Sequence, residues 1–221
     1  MVSHEPLHMQ AYNYIKDRIL SNDFKDNVIY SQTQVANEAG VSRTPMRDAL
    51  QRLEQEGYIE ILPSKGFRLK MITEENIIKC SQIRNALEGY CAYLIAQNHT
   101  SEKAVHTISL LENLLQKQYS VFEINYDVKR FSKLDVQFHL EIVRFSENAE
   151  MISLFSNNLF YIQRLAEQSL SATGRVKDTL DEHYSIYNSI KQGNPLEAYK
   201  AIMVHNHNGQ CINLLQLRKN E

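Results

Sequence analysis

A mainly α-helical chain carrying one small β hairpin is predicted by three features of the 221-residue sequence. Only 7 glycines and 4 prolines interrupt it, which favours long regular elements over loops. Apolar residues recur three and four positions apart over most of its length, the spacing of one helix face. A single stretch, Tyr58 to Lys70, instead gathers β-branched, aromatic and leucine residues around a turn. A hydrophobic content of 43% supplies a core for one large or two modest domains.

In chain order, Leu7, Ala11, Tyr14, Ile15 and Ile19 give the first helix, Leu7 to Leu20. Ser31 caps a second, short helix containing Val35 and Ala39. Gly40 supplies a turn, and Ser42 caps a third helix with Pro45 in its first turn, where the missing N–H costs little. Two helices joined by a short turn containing glycine make a helix-turn-helix. In the third helix Met46, Ala49, Leu50 and Leu53 form the inward stripe, Arg43, Thr44, Arg47 and Gln51 fall on the other side, and Gly57 ends it. Tyr58 to Leu62 and Gly66 to Lys70 then read as two strands around Pro63-Ser64-Lys65, a wing. From Thr73 onward the pattern is helical: Thr73 to Gln97, Ser101 to Gln118, Ile124 to Ser146, Ala149 to Ser169, Arg175 to Lys191 and Pro195 to Leu217. The boundary falls near Met71 to Thr73, giving a winged helix-turn-helix domain over 1–72 and an antiparallel all-α bundle over 73–221.

Composition excludes several classes. A net charge of -2 and a pI near 6.5 rule out a uniformly basic nucleic-acid binder but allow a local basic face. Cys80, Cys91 and Cys211 are odd in number and lack CxxC spacing, against a disulfide framework or a thiolate zinc cluster. No apolar run approaches the roughly 20 residues of a membrane span, and the N-terminus lacks a signal peptide's basic and apolar regions. A cytoplasmic protein with no membrane partner is expected.

Arg43 and Arg47 stand one helical turn apart, where arginine can read guanine edges in the major groove or clamp phosphates. Ser42 and Thr44 can contact backbone oxygens or a thymine methyl. Lys65 adds a charge at the wing tip, while Asp48, Glu54, Glu56 and Glu60 lie mainly toward the far end of the helix. An exposed, solvated arginine face is the plainer alternative. The stretch VSRTPMRDALQRLEQEGYIEILPSKGF resembles the winged helix-turn-helix signature of the GntR transcription-regulator superfamily. The resemblance implies base contacts from Arg43 and Arg47, a backbone contact from Thr44, and a wing tip brought to the minor groove by Lys65-Gly66. Thr33 departs from the pattern, since relatives often carry arginine there.

In KLDVQFHLEI, Asp135 and His139 lie four apart, on one helical face, and form a chelating pair. His183 lies on a later helix, and His205 and His207 on the last. A carboxylate and three imidazoles from three helices suit a divalent transition metal such as Zn or Ni, with open positions for water or a small molecule. With 8 histidines in the chain, satisfied or solvent-exposed side chains are the plainer alternative. IRNALEGYCAYLIA, LDVQFHLEIV and EHYSIYNSIKQGNPLEAYKAIMVH resemble, in order and spacing, the FCD effector domain of the FadR-type branch of the same superfamily. The resemblance maps the metal ligands onto Asp135, His139, His183 and His205, the last chosen over His207 by its place after GNPLEA. It also maps a carboxylate-binding arginine onto Arg84, which could instead pair with Glu88 one turn on. Asn158 and Arg164 are further candidates for the effector cavity.

The expected protein is a homodimeric, metabolite-responsive regulator, a repressor, whose winged helix binds a double-stranded DNA operator. Its bundle would hold a metal and a small carboxylate effector that modulates operator binding. Two alternatives stay open: a metal-dependent hydrolase or lyase, with Glu88 or Glu182 as base, and a DNA-binding protein whose metal is purely structural.

Overall fold

The computed structural model describes residues 5–21, 23–124 and 126–219, and it divides between Ile72 and Thr73 into two units. Positions 1–4 and 220–221, at the ends of the two expected domains, and position 125, inside the helix expected from Ile124, lie outside the described residues.

The N-terminal unit holds α1 (Leu7–Leu20), α2 (Gln32–Glu38), α3 (Arg43–Gln55) and the antiparallel strands β1 (Ile59–Leu62) and β2 (Gly66–Leu69). Ser31 caps α2 by accepting from the Gln34 amide, whereas Ser42 occupies the N-cap of α3 without a side-chain cap bond. Met46, Ala49, Leu50 and Leu53 are buried as expected, and α3 packs against α1. In α1 the buried tyrosine is Tyr12 rather than Tyr14. The reason is polar: Tyr12 donates its hydroxyl proton to Glu56, and the Arg52 guanidinium lies 4.3 Å over its ring. Tyr14 is half-buried under Arg18.

The wing has a third participant that the sequence reading lacked. Tyr30 exchanges backbone bonds of 2.8 and 3.0 Å with Phe67, so a single extended residue extends the hairpin. Phe24, Tyr30 and Phe67 pack edge to face beneath it. This addition explains Gly66, whose φ is +131° and where an added Cβ would stand 2.1 Å from the Tyr30 carbonyl oxygen. Only glycine allows that approach.

The C-terminal unit comprises α4 (Glu74–Gln97), α5 (Glu102–Glu123), α6 (Val128–Arg144), α7 (Ala149–Asn157), α8 (Leu159–Leu170), α9 (Arg175–Lys191) and α10 (Pro195–Lys219). Thr73 and Asn76 cap α4 reciprocally. The long α4 and α10 pack together, and Gly89 makes room for α10: a Cβ there would come within 2.7 Å of the Met203 methyl and 3.0 Å of the Tyr199 ring.

Two expected boundaries are corrected. The helix expected to end at Gln118 runs to Glu123, because buried Val121 continues the stripe of Leu111, Leu114 and Leu115. The helix expected over Ala149 to Ser169 is two helices. Asn158 leaves helical geometry (φ -98°, ψ 0°), and its side-chain amide donates to the Leu154 carbonyl. Among the described residues, no helix is long and apolar enough to cross a membrane.

Candidate functional site

Helix α6 brings Asp135 and His139 onto one buried face, α9 supplies His183 and α10 supplies His205. Their ligand atoms all lie within 4.8 Å of one another. His183 Nε2 stands 3.2 Å from His139 Nε2 and 3.3 Å from Asp135 Oδ1, and its ring stacks on Phe138 at 4.5 Å. On the far side, each imidazole turns its Nδ1 to an acceptor. His183 Nδ1 meets Gln118 Oε1 on α5 at 2.8 Å, and His205 Nδ1 meets Glu182 Oε2 on α9 at 2.8 Å. His139 Nδ1 lies 2.8 Å from Glu88 Oε2 on α4, close enough for an ion pair but not aligned for a hydrogen bond.

These partners fix the chemistry of the cluster. An acceptor at Nδ1 places the ring's N–H there and leaves the Nε2 lone pair facing inward. Three such lone pairs and a carboxylate then converge on one small volume, where something positive must separate them. The choices are a proton on His183 Nε2 shared with Asp135, or a metal cation. Burial pushes His183 below the ordinary imidazole value and His205 down to about 3, which disfavours the proton. Burial alone would raise Asp135, yet its hydrogen bond with His183 and the neighbouring imidazoles hold it well below the usual carboxylate range. Residue types and geometry therefore fit a divalent cation with nitrogen and oxygen ligands.

The sign of the pH dependence follows. Metal competes with protons for His183 and His205, and both bind protons only below the ordinary value of about 6.5. Metal occupancy is expected to hold as pH falls through 6.5 and to decline only in more acid solution, later than ordinary histidines would allow. Elemental analysis after dialysis across a pH series measures this; half-loss at or above pH 6.5 would contradict it.

A cavity adjoins the cluster at Asp135 and His205 and reaches between α4, α8 and α10. Two guanidiniums line it. Arg84 donates from Nε to Glu88 Oε1 at 2.6 Å and from a terminal nitrogen to Oε2 at 3.3 Å, so the Glu88 pairing left open by the sequence is realised, while Arg84 still faces the cavity. Arg175, only 4% exposed, donates to both oxygens of Glu182 at 2.6 and 2.7 Å. Burial alone would raise Glu88, but Arg84 and His139 bring it down to about 2. Glu182 also falls to about 2 against its burial, held by His205 and Arg175. Each arginine thus grips a carboxylate that in turn steadies one histidine of the cluster.

Glu88, Gln118, Glu182 and Arg175 are the residues of this site to which sequence reasoning gave no such role. The available signal was that Arg175 and Glu182 lie two turns apart on the helix that carries His183. Asn158 and Arg164 are corrected: neither is among the residues lining this cavity. Asn158 spends its amide on the end of α7, and Arg164 lies 5.0 Å over the Phe160 ring. His207 stays outside the cluster and meets Cys211 Sγ at 3.5 Å.

In the N-terminal unit Ser42, Arg43, Thr44 and Arg47 are exposed along the start of α3, and Lys65 is exposed at the wing turn. Arg52 and Arg68 are engaged by Glu56 and Glu60 at 2.9 and 2.8 Å, and Arg47 has only a 4.0 Å approach to Asp48. Gly66 is buried, and its geometry serves the backbone approach to Tyr30.

Residues 7–69 match the bacterial regulatory proteins of the gntR family, and residues 80–208 match the FCD domain. The HTH-type transcriptional regulator YdhC of Bacillus subtilis is 28% identical over 213 residues, covering 95% of this chain and 91% of that protein. The HTH-type transcriptional repressor RspR of Escherichia coli is 22% identical over 201 residues, covering 91% and 86%. A crystal structure of a GntR regulator from Rhodococcus sp. RHA1 superposes with a TM-score of 0.79 at 18% or less identity, namely 16%, over 94% of this chain and 97% of that one. The chain belongs to the GntR family of transcription regulators that carry an FCD domain. The family and its relatives are transcription regulators, not enzymes. The chemistry agrees, because Glu88 and Glu182, the two groups considered as general bases, are locked in ion pairs and too weakly basic to take a proton near neutrality.

Proposed function

We propose that this GntR-family regulator is a homodimeric repressor whose FCD domain binds one divalent transition metal, Zn or Ni, through Asp135, His139, His183 and His205. A small organic acid binding beside the metal modulates its hold on an operator. The observation that carries this reading is the convergence of three inward Nε2 atoms and one carboxylate, with each outer Nδ1 held by a carboxylate or an amide. The metal supplies a Lewis-acid anchor for the acid's carboxylate. Arg84 and Arg175 set the charge of the wall beside it, and the surrounding helices keep water out. Winged-helix dimers read paired half-sites, so a second copy of the chain is required for a pseudo-palindromic operator.

DNA reading is assigned to Arg43 and Arg47 as base contacts, to Ser42 and Thr44 as backbone contacts, and to Lys65 with its neighbour Gly66 at the wing tip. Arg47→Ala is expected to weaken specific operator binding by about 1–3 kcal/mol, the worth of one bidentate guanine contact. Lys65→Ala instead lowers affinity for every sequence and flattens the salt dependence, because a wing lysine acts mainly through phosphate. Anisotropy titrations against operator and random DNA at fixed salt test both. An Arg47→Ala protein that discriminates operator from random DNA as well as the wild type does would remove the base contact from the proposal.

A further inference from the structure

The charge and the unmet hydrogen-bonding atoms of the cavity wall define the acid more closely, and we infer that it is a monocarboxylate carrying hydroxyl groups. This rests on the metal-and-acid reading proposed above.

The cluster and wall hold two guanidiniums, Arg84 and Arg175, and three carboxylates, Asp135, Glu88 and Glu182. The imidazoles and the Cys80 thiol are neutral. One negative charge is left over, and a divalent ion converts it to one positive. A single carboxylate then brings the site to neutrality. The second charge of a diacid would stand uncompensated where burial makes that costly, and an amino acid, being a zwitterion, would leave the site's positive charge unmatched.

Hydrogen bonding separates the remaining acids. Asn206 and Asn213, each 4% exposed, line the cavity, and each has a side-chain carbonyl oxygen without a partner. The Asn206 amide nitrogen is already used, donating to Asn85 Oδ1 at 3.0 Å. A buried acceptor left unmet is costly, so the ligand that enters must bring donors. An alkyl acid has none beyond its carboxylate, whereas a hydroxyl donates without changing the charge. The two oxygens lie seven residues apart on α10, about 10 Å along its axis. Asn206 adjoins His205 in sequence, so a hydroxyl close to the carboxylate reaches Asn206 and a longer polyhydroxy chain reaches both. Ile162, Leu165 and Leu170 on α8 face the same space and take the carbon skeleton.

The test is calorimetric titration of the zinc-loaded full-length protein with two matched series. The three-carbon acids are glycerate, propanoate, malonate and alanine; the six-carbon acids are gluconate, hexanoate, adipate and norleucine. In at least one series the hydroxylated monoacid is expected to bind about tenfold more tightly than its alkyl, diacid and amino counterparts. Asn206→Leu or Asn213→Leu should erase that margin while leaving the metal content unchanged. A diacid or alkyl acid that matches the hydroxylated acid in both series overturns the inference and leaves the metal-and-acid site standing; should a variant not fold, this wild-type ranking decides alone. If none of the eight acids binds a protein that holds its metal, the acid site itself falls, and this inference with it.

Discussion

Replacing Arg84 with alanine is expected to destabilise the C-terminal unit by about 3–5 kcal/mol, because Glu88 is then left as a buried carboxylate without its cation. Glu88 is fully buried, and Arg84 contacts both of its oxygens. The pH dependence identifies the cause. Glu88 falls from its ordinary 4.5 to about 2 in the folded protein, so the pair's stabilisation is complete above about 4.5 and is lost as pH falls toward 2. The gap between wild type and variant should therefore be widest near neutrality and narrow in acid. Urea denaturation at pH 7 and pH 4 measures it. A paired Arg84→Met, Glu88→Leu replacement should recover most of the loss, since it removes both charges together. If Arg84→Ala stays within about 1 kcal/mol of the wild type at pH 7, then His139 is carrying the compensating charge and the relay has been misassigned. Loss of acid response in Arg84→Ala alone would thus report a damaged core as readily as a lost ligand contact.

The four clustered ligands were legible in the sequence, whereas the residues that hold them were not. Asp135 and His139 announce themselves because helical spacing alone puts them on one face. Gln118, Glu88 and Glu182 come from three other helices, and only tertiary packing turns their acceptors toward the Nδ1 atoms of His183, His139 and His205. Gln118 even misled, since a polar residue interrupting the apolar stripe of α5 reads as a helix end when it is a buried partner. The same limit explains Asn158 and Arg164. A break at Asn158 ends one helix and starts another, so a position counted along one continuous helix no longer faces where its periodicity says. In the wing the hairpin was legible from its alternation and turn, but Tyr30 was not, because one bridging residue leaves no periodic trace. Its effect was visible only indirectly, as the glycine at Gly66.

His183→Ala is expected to strip the protein of its metal almost completely, and with it the response to acid, while operator binding persists. His183 is the central member of the cluster, with Nε2 nearest to both His139 and Asp135, and it is fully buried, so water cannot readily replace the lost nitrogen. Gln118→Leu tests the support separately: without the acceptor at Nδ1 the ring loses its tautomer and orientation, and metal affinity should fall about 10–100-fold with the ligands intact. Operator binding is insulated, because Arg43, Arg47 and Lys65 all belong to the other unit. Elemental analysis of protein purified without chelator should find near-stoichiometric divalent metal in the wild type, partial loading in Gln118→Leu and almost none in His183→Ala. Operator titrations with and without acid on the same three samples then tie occupancy to response. Full metal content in both His183→Ala and His139→Ala would place the ion elsewhere on the chain. A chelator-treated wild type that still responds to acid would separate the two functions, leaving Asp135, His139, His183 and His205 as a buried polar network beside an acid site that needs no metal.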